Sequence, residues 1–375
     1  MSPATKLLRE LVALPSVNPA FLPDKHPYAG EQRVAEFLAA VSASAGLDVM
    51  LEDVFPNRPN LLARLTPPGK IKQTILLAPH FDTVGVSSEK QFSPQIKNGR
   101  LYARGACDTK GSVATMLTAL ITLAKSKQRP SETEIIFCGL IDEENAQSGS
   151  RALGKSLKAD LAIVGEPTRL KLVTAHKGSL WLKFETRGKS AHGAKPELGV
   201  NAVHEAARIV DLLETDYAAA LGRKKHPLLG RATINVGTMH GGVQPNIVPD
   251  HCVITADRRT LPGETELTVQ RELRALLKKK KLRAILGESK SVPGLPLETN
   301  PKLPLVQQML RSFGQPKPAG VDYFCDASVL AQAGIPSVVF GPGDIAQAHT
   351  TDEWLSLAEL DKATRMLIAF FETLS

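Results

Sequence analysis

His80, Asp108, Glu144, Glu166 and His349 are side chains of the kinds that bind divalent metal ions, spread along a chain of 375 residues. Four of the five sit just after an apolar, strand-like run or in the loop that follows one. Glu143 stands beside Glu144, so one carboxylate of that pair is free for other work. Two metal ions and one free carboxylate suffice to activate water against an amide.

Each residue also has an ordinary reading. His80 lies in Pro79-His80-Phe81-Asp82-Thr83 and could be a surface histidine beside a turn aspartate. As a ligand it has Asp82 two residues on to accept its second N–H. Asp108 precedes a helix of small residues. Taken alone it fits an N-cap better than a carboxylate bridging ions ~3.5–4 Å apart. Its neighbour Cys107 reads as a small buried apolar residue. Asp142-Glu143-Glu144 is costly without a nearby cation, because like charges disfavour each other's ionisation. The run follows a strand that reads as buried, which favours function over an acidic surface turn. Pro167 holds Glu166 extended, and the stretch 341–353 is a long loop carrying His349. No one of these signals is strong; their joint order carries the argument.

The elements that must position these residues alternate. Helical periodicity covers 31–45, 111–126 and 148–157; strand-like runs cover 60–65, 74–78, 134–141 and 161–164. Such alternation predicts an α/β fold with a helix-flanked, mostly parallel sheet, whose chemistry gathers at the carboxyl ends of the strands. The pattern changes near Lys177. A strand (179–186), a helix (201–213), two strands (232–239 and 252–258), a helix (264–279) and a last strand (283–286) form a split βαβ, a ferredoxin-like α+β domain. It reads as an insertion, 177–287, within a domain made of 1–176 and 288–375. Prolines 293, 296, 301 and 304 mark the return. The last segment predicts a helix (303–313), a strand (337–340) and a closing helix (356–374).

The motifs His80-x-Asp82, Gly105-x-x-Asp108-x-Lys110-Gly111, Asp142-Glu143-Glu144 and Gly165-Glu166-Pro167 resemble one family. It is the dinuclear-zinc metallopeptidase and deacylase family of acetylornithine deacetylase, succinyl-diaminopimelate desuccinylase, carboxypeptidase G and aminoacylase. The resemblance runs from Leu11 to the last helix. The Gly341-Pro342-Gly343 to Glu353 loop, His176-Lys177-Gly178 and Asp257-x-Arg259-x-Leu261-Pro262-Gly263 are most similar to the acetylornithine deacetylase branch. The resemblance implies that His80 and Glu166 hold one zinc, Glu144 and His349 the other, and Asp108 bridges them. It implies that Glu143 is the general base and that Asp82 orients His80. His192, in Ser190-Ala191-His192-Gly193, would reach into a partner subunit's site and stabilise the oxyanion. Asn246 and Arg259 would bind the substrate carboxylate, and Gly341 and Gly343 would line the floor. The inserted domain would then serve as lid and dimerisation surface.

The implied enzyme is a two-metal amidohydrolase acting on a small carboxylate-bearing substrate, an N-acetyl amino acid first, as a homodimer. Zinc is the expected cofactor; cobalt and manganese accept the same ligands. A glutamate carboxypeptidase, a succinyl-diaminopimelate desuccinylase or a dipeptidase would use the same scaffold. A non-catalytic binding protein is the alternative of another class, and it would not need a full ligand set with Glu143 beside it. Thr351 stands where the acetylornithine branch usually has proline, and Trp354 where smaller or phenolic residues are common. Both departures leave the metal ligands intact and the acyl-amino-acid substrate open.

The net charge is +8. Part of it lies in 223–225 and 278–281, where no aromatic residue interleaves, so solvated segments are favoured over a nucleic-acid surface. No apolar run approaches the ~18 residues of a membrane span, and residues 1–14 read as an amphipathic helix, not a signal peptide. Four cysteines without a C-x-x-C pair fit a reducing cytoplasm.

Overall fold

The structure, a computed structural model, describes residues 1–288 and 292–375. The chain forms two compact units. One comprises Met1–Thr174, Thr299–Ala319 and Cys325–Ser375; the other comprises Ala175–Glu298 and Gly320–Phe324, where 177–287 was expected.

The core of the first unit is a sheet in which Thr133–Gly139, Gln73–Pro79, Leu161–Gly165 and Ser337–Val339 lie side by side, all parallel. Arg58–Leu65 and Asp48–Phe55 extend it antiparallel beyond Thr133–Gly139. The sheet is therefore mixed, and parallel in its core strands. Beyond polar residues at their starts those strands are apolar, because both faces are covered. Ile75 and Leu77 join the core cluster formed with the helices Pro3–Val12, Lys110–Ala124 and Leu357–Phe371. Leu76 and Ala78, which point the other way, are just as buried. The helix Asp326–Gln332 packs against Leu161–Gly165 and Ser337–Val339.

The helices fall close to their expected bounds; 31–45 is observed as Gln32–Ser44 and 148–157 as Ser148–Ser156. Several elements were not foreseen, among them the helix Asp326–Gln332 and the strand Val173–His176. Asp48–Phe55 carries Asp48, Glu52 and Asp53 on a largely exposed edge strand, so it lacks the burial contrast that marks a strand. Gln95–Lys97, Arg100–Tyr102 and Trp354–Ser356 form a small sheet of strands three residues long, too short for periodicity to register.

The second unit holds the antiparallel sheet Thr233–Gly241, His251–Thr260, Gly178–Arg187 and Ile285–Glu288, in that spatial order. The chain order, with helices Ala202–Leu212 and Glu266–Lys279 between strands, is the expected ferredoxin-like arrangement. One face of the sheet (Leu180, Leu182, Phe184, Ile254, Ala256) clusters with Ala206, Ile209, Val269 and Leu273 of the helices. Lys278 and Lys279 are exposed in the last turn of Glu266–Lys279, where the helix dipole favours cations. Among the described residues no helix is long and apolar enough to cross a membrane.

Candidate metal centre

The parallel core of the first unit brings the ligand-type residues together. His80 directly follows Gln73–Pro79 and bridges to Leu140, just past the neighbouring strand. Glu143 and Glu144 come three and four residues later, and Glu166 directly follows Leu161–Gly165. All are therefore at the carboxyl ends of adjacent parallel strands. The donor atoms converge in two groups, His80 with Glu143 and Glu166, and Asp108 with Glu144 and His349. Within each group they lie within 4.8 Å of one another.

Asp108 connects the groups. Its Oδ1 is 3.2 Å from His80 Nε2 and its Oδ2 is 3.2 Å from His349 Nε2. The helix Lys110–Ala124 takes Thr109, not Asp108, as its N-cap, so the capping alternative is not realised. His349 Nε2 is also 3.2 Å from Glu144, and His80 Nε2 is 3.7 Å from Glu166. Depth varies across the cluster: His80 and Asp108 are buried, whereas the side chain of His349 is 53% exposed. Asp142 (φ 64°) and His349 (φ 61°) both sit in the left-handed region, which costs non-glycine residues energy and recurs at functional loops.

Asp82 does more than face His80. His80 Nδ1 lies 3.0 Å from the Asp82 backbone carbonyl and 3.3 Å from its carboxylate. The same carboxylate accepts the backbone N–H groups of Glu143 (3.0 Å) and Glu144 (3.1 Å), so it fixes the acidic turn as well. Asn18 donates to both Asp82 (2.8 Å) and Asp142 (3.0 Å). Arg58, paired with buried Glu31 at 2.7 Å, also reaches Asp142 at 3.3 Å. Neither Asn18 nor Arg58 was singled out from sequence. The visible signals were local: an asparagine before Pro19, and an arginine opening a buried strand.

The electrostatics are those of a crowded acidic pocket. Burial, reinforced by neighbouring carboxylates, pushes Glu143 and Glu166 well above the usual carboxylate range and Glu144 up to about 6. Burial opposes the charging of His80, yet the hydrogen bonds to Asp108 and Asp82 prevail and raise it well above its ordinary value. Asp108 and Glu144 raise His349 to about 10. Asp108 itself is held low, the histidines outweighing burial. Protons and imidazolium ions thus offset the charge of four carboxylates gathered in two donor groups. Two divalent cations would neutralise those carboxylates in full, and nitrogen with oxygen donors suits zinc. The residues present fit such a pair.

Gly341 and Gly343 lie close by. A Cβ at Gly341 would come within 2.5 Å of the Glu166 carbonyl oxygen, and one at Gly343 within 2.6 Å of Cys107 Sγ. Gly343 also has φ +90°, which side chains rarely adopt. In the second unit, Gly193 N–H donates to the Asn246 carbonyl (2.8 Å), and His192 bridges to Ile247, so the His192 and Asn246 loops are joined. Both side chains are exposed. Arg259 Nε pairs with Asp257 at 2.8 Å, and Asp257 is held by Ser179 at 2.8 Å.

A model of peptidase family M20/M25/M40 matches residues 76–373. An acetylornithine deacetylase of Vibrio cholerae is 30% identical over 352 residues, covering 90% of each chain. One from Proteus mirabilis is 30% identical, covering 96% of this chain and 94% of that one. The crystal structure of aminopeptidase PepT from Bacillus cereus superposes with a TM-score of 0.77 at 25% identity, covering 99% of this chain and 97% of that one. An M20 family metallo-carboxypeptidase from Sulfolobus solfataricus gives 0.75 at 21% identity, covering 99% of each.

Proposed function

Since this chain belongs to peptidase family M20/M25/M40 and is a metallohydrolase of amide bonds, we propose that it is a two-metal deacylase of N-acyl amino acids, with N-acetyl amino acids first. The observation that carries this reading is Asp108, which turns one carboxylate oxygen to each histidine-bearing group. Asp108 would bridge the two ions; His80 and Glu166 would complete one site, Glu144 and His349 the other. Two such cations, zinc foremost, supply Lewis acidity toward the amide carbonyl and make water a stronger acid.

The chain's own residues do the rest. Glu143 takes a proton from the attacking water and later delivers it to the departing amine nitrogen. Asp82 keeps His80 oriented and holds the Glu143-Glu144 turn by both N–H groups. In this reading His192, supplied by a partner subunit through the ferredoxin-like unit, donates to the carbonyl oxygen as it gains charge. Arg259, with Nε engaged by Asp257, offers its remaining N–H groups to the substrate carboxylate, together with Asn246. Gly341 and Gly343 form the floor beside Glu166. In this reading the enzyme works as a homodimer, which sharing of His192 requires, and in the cytoplasm, where its four buried cysteines stay reduced.

The test is a panel of N-acetyl, N-succinyl and dipeptide substrates, assayed on chelator-stripped protein with zinc, cobalt or manganese added back. Metal-dependent release of acetate from N-acetyl amino acids at the highest kcat/KM supports the proposal. Preference for dipeptides or succinyl substrates would assign a peptidase or desuccinylase instead. Hydrolysis insensitive to chelation would refute the mechanism.

A further inference from the structure

Glu353 lies four residues beyond His349 and is almost wholly buried, at 2% exposure. Its carboxylate contacts a different segment of the chain, the one that carries Asp108. Oε2 accepts from Arg104 Nη1 (2.7 Å) and from the backbone N–H of Gly105 (2.9 Å). Oε1 accepts from the backbone N–H groups of Cys107 (2.8 Å) and Asp108 itself (3.0 Å). The backbone carbonyl of Glu353 accepts from Ala103 N–H at 3.1 Å. Arg104 is itself buried, so the pair adds no net charge beside the acidic cluster. Three backbone donors and one guanidinium saturate this one carboxylate, leaving it no free lone-pair direction for a metal or a substrate.

We infer that Glu353 is a positioning residue: it fastens the Asp108 segment to the His349 loop and so sets the affinity of the Asp108–Glu144–His349 site. The inference rests on the two-metal reading above. The physical reason is geometric. Asp108 can bridge only if its two oxygens face His80 and His349 at once, which requires its backbone to be held. Glu353 holds that backbone by the Asp108 N–H, and it belongs to the same loop as His349. Two of the three ligands of one site therefore depend on it. The other site depends on it through Asp108 alone, since His80 and Glu166 are anchored by their own strand ends. Ligand-supporting contacts of this kind typically contribute a factor of about 10–100 in metal affinity.

The experiment titrates the chelator-stripped full chain with zinc in competition with a chromophoric chelator. It compares wild type with Glu353→Gln and Glu353→Ala, and with Phe371→Leu as a control for general loss of core packing. Glu353→Gln keeps the size of the side chain but turns one acceptor into a donor facing backbone N–H groups. Expected for both Glu353 variants is a dissociation constant about 10–100-fold weaker for the second metal equivalent, a smaller change for the first, and restoration of kcat at high zinc. Phe371→Leu should lower Tm without changing the ratio of the two affinities. Unchanged affinities in both Glu353 variants, or equal weakening of both equivalents, would overturn the inference. Wild type that binds fewer than two equivalents would instead refute the two-metal reading, and the inference with it.

Discussion

The two units treat their candidate functional residues differently. In the first, His80, Asp82, Asp108 and Glu166 are buried and tied to one another by a continuous set of contacts under 4 Å. In the second, His192 and Asn246 are exposed, and their hydrogen bonds run within and between their two surface loops. A metal centre has to hold its ligands within a few tenths of an ångström of their places. A group that only steadies charge in a transition state can sit on a loop that moves into place. The contrast says that metal binding and transition-state stabilisation should separate experimentally along the boundary between the units.

The sharpest break should come from Asp108→Asn, which keeps shape but removes the bridging charge. Turnover should fall roughly 1,000-fold or more, with metal lost from both sites. Near-normal metal content in that variant would mean Asp108 does not bridge. His192→Ala should do the opposite: kcat falls about 100–1,000-fold while both metals stay bound. Mixing it with Glu143→Ala protein should restore activity if subunits exchange, because a mixed dimer holds one site with both residues. A mixture that stays inactive despite demonstrated exchange would place His192 outside any shared site.

Arg259→Lys should be milder, a loss of about 10–100-fold in kcat/KM, since an ammonium cannot replace the guanidinium fork. The loss should disappear for a substrate whose carboxylate is amidated; an equal loss on both substrates would remove Arg259 from carboxylate recognition. The smallest effect concerns stability. Burial pushes His176, fully buried in the second unit, down to about 4. The unfolded chain, titrating near 6.5, therefore takes up a proton first as pH falls. The contribution of a neutral His176 is complete above about 6.5 and is lost as pH falls toward 4, by a few kcal/mol at most. Denaturation of wild type and His176→Gln at pH 7 and pH 4.5 should show a difference that narrows at the lower pH. Parallel curves would count against it.

Much of the first unit's site was legible because the sheet obeys a simple rule. Long apolar runs end, and a ligand-type residue follows, as at Pro79-His80 and Gly165-Glu166. Asp108 was not legible by itself, because an aspartate before a helix of small residues looks like a cap; in the fold Thr109 is the cap, and the two Asp108 oxygens face His80 and His349. Asn18 was invisible for a different reason. Its bonds to Asp82 and Asp142 span 64 and 124 residues, and no local pattern encodes a contact of that range. Glu353 stood in plain sight beside His349, yet its role depends on backbone N–H groups, which carry no sequence signature. The second unit's fold followed from its order of strands and helices, but the roles of His192, Asn246 and Arg259 rest on resemblance and on the tests above.

One measurement bears most directly on the central claim, the division of labour between the adjacent acids Glu143 and Glu144. Geometry alone does not separate them, since Glu143 lies as near to His80 and Glu166 as a ligand would. Metal content and kcat should be measured together for Glu143→Ala and Glu144→Ala. Glu143→Ala should retain two metals per chain while kcat drops on the order of 100–10,000-fold, and Glu144→Ala should lose metal. A Glu143→Ala protein with near-normal kcat, or one that sheds metal as Glu144→Ala does, would contradict that claim.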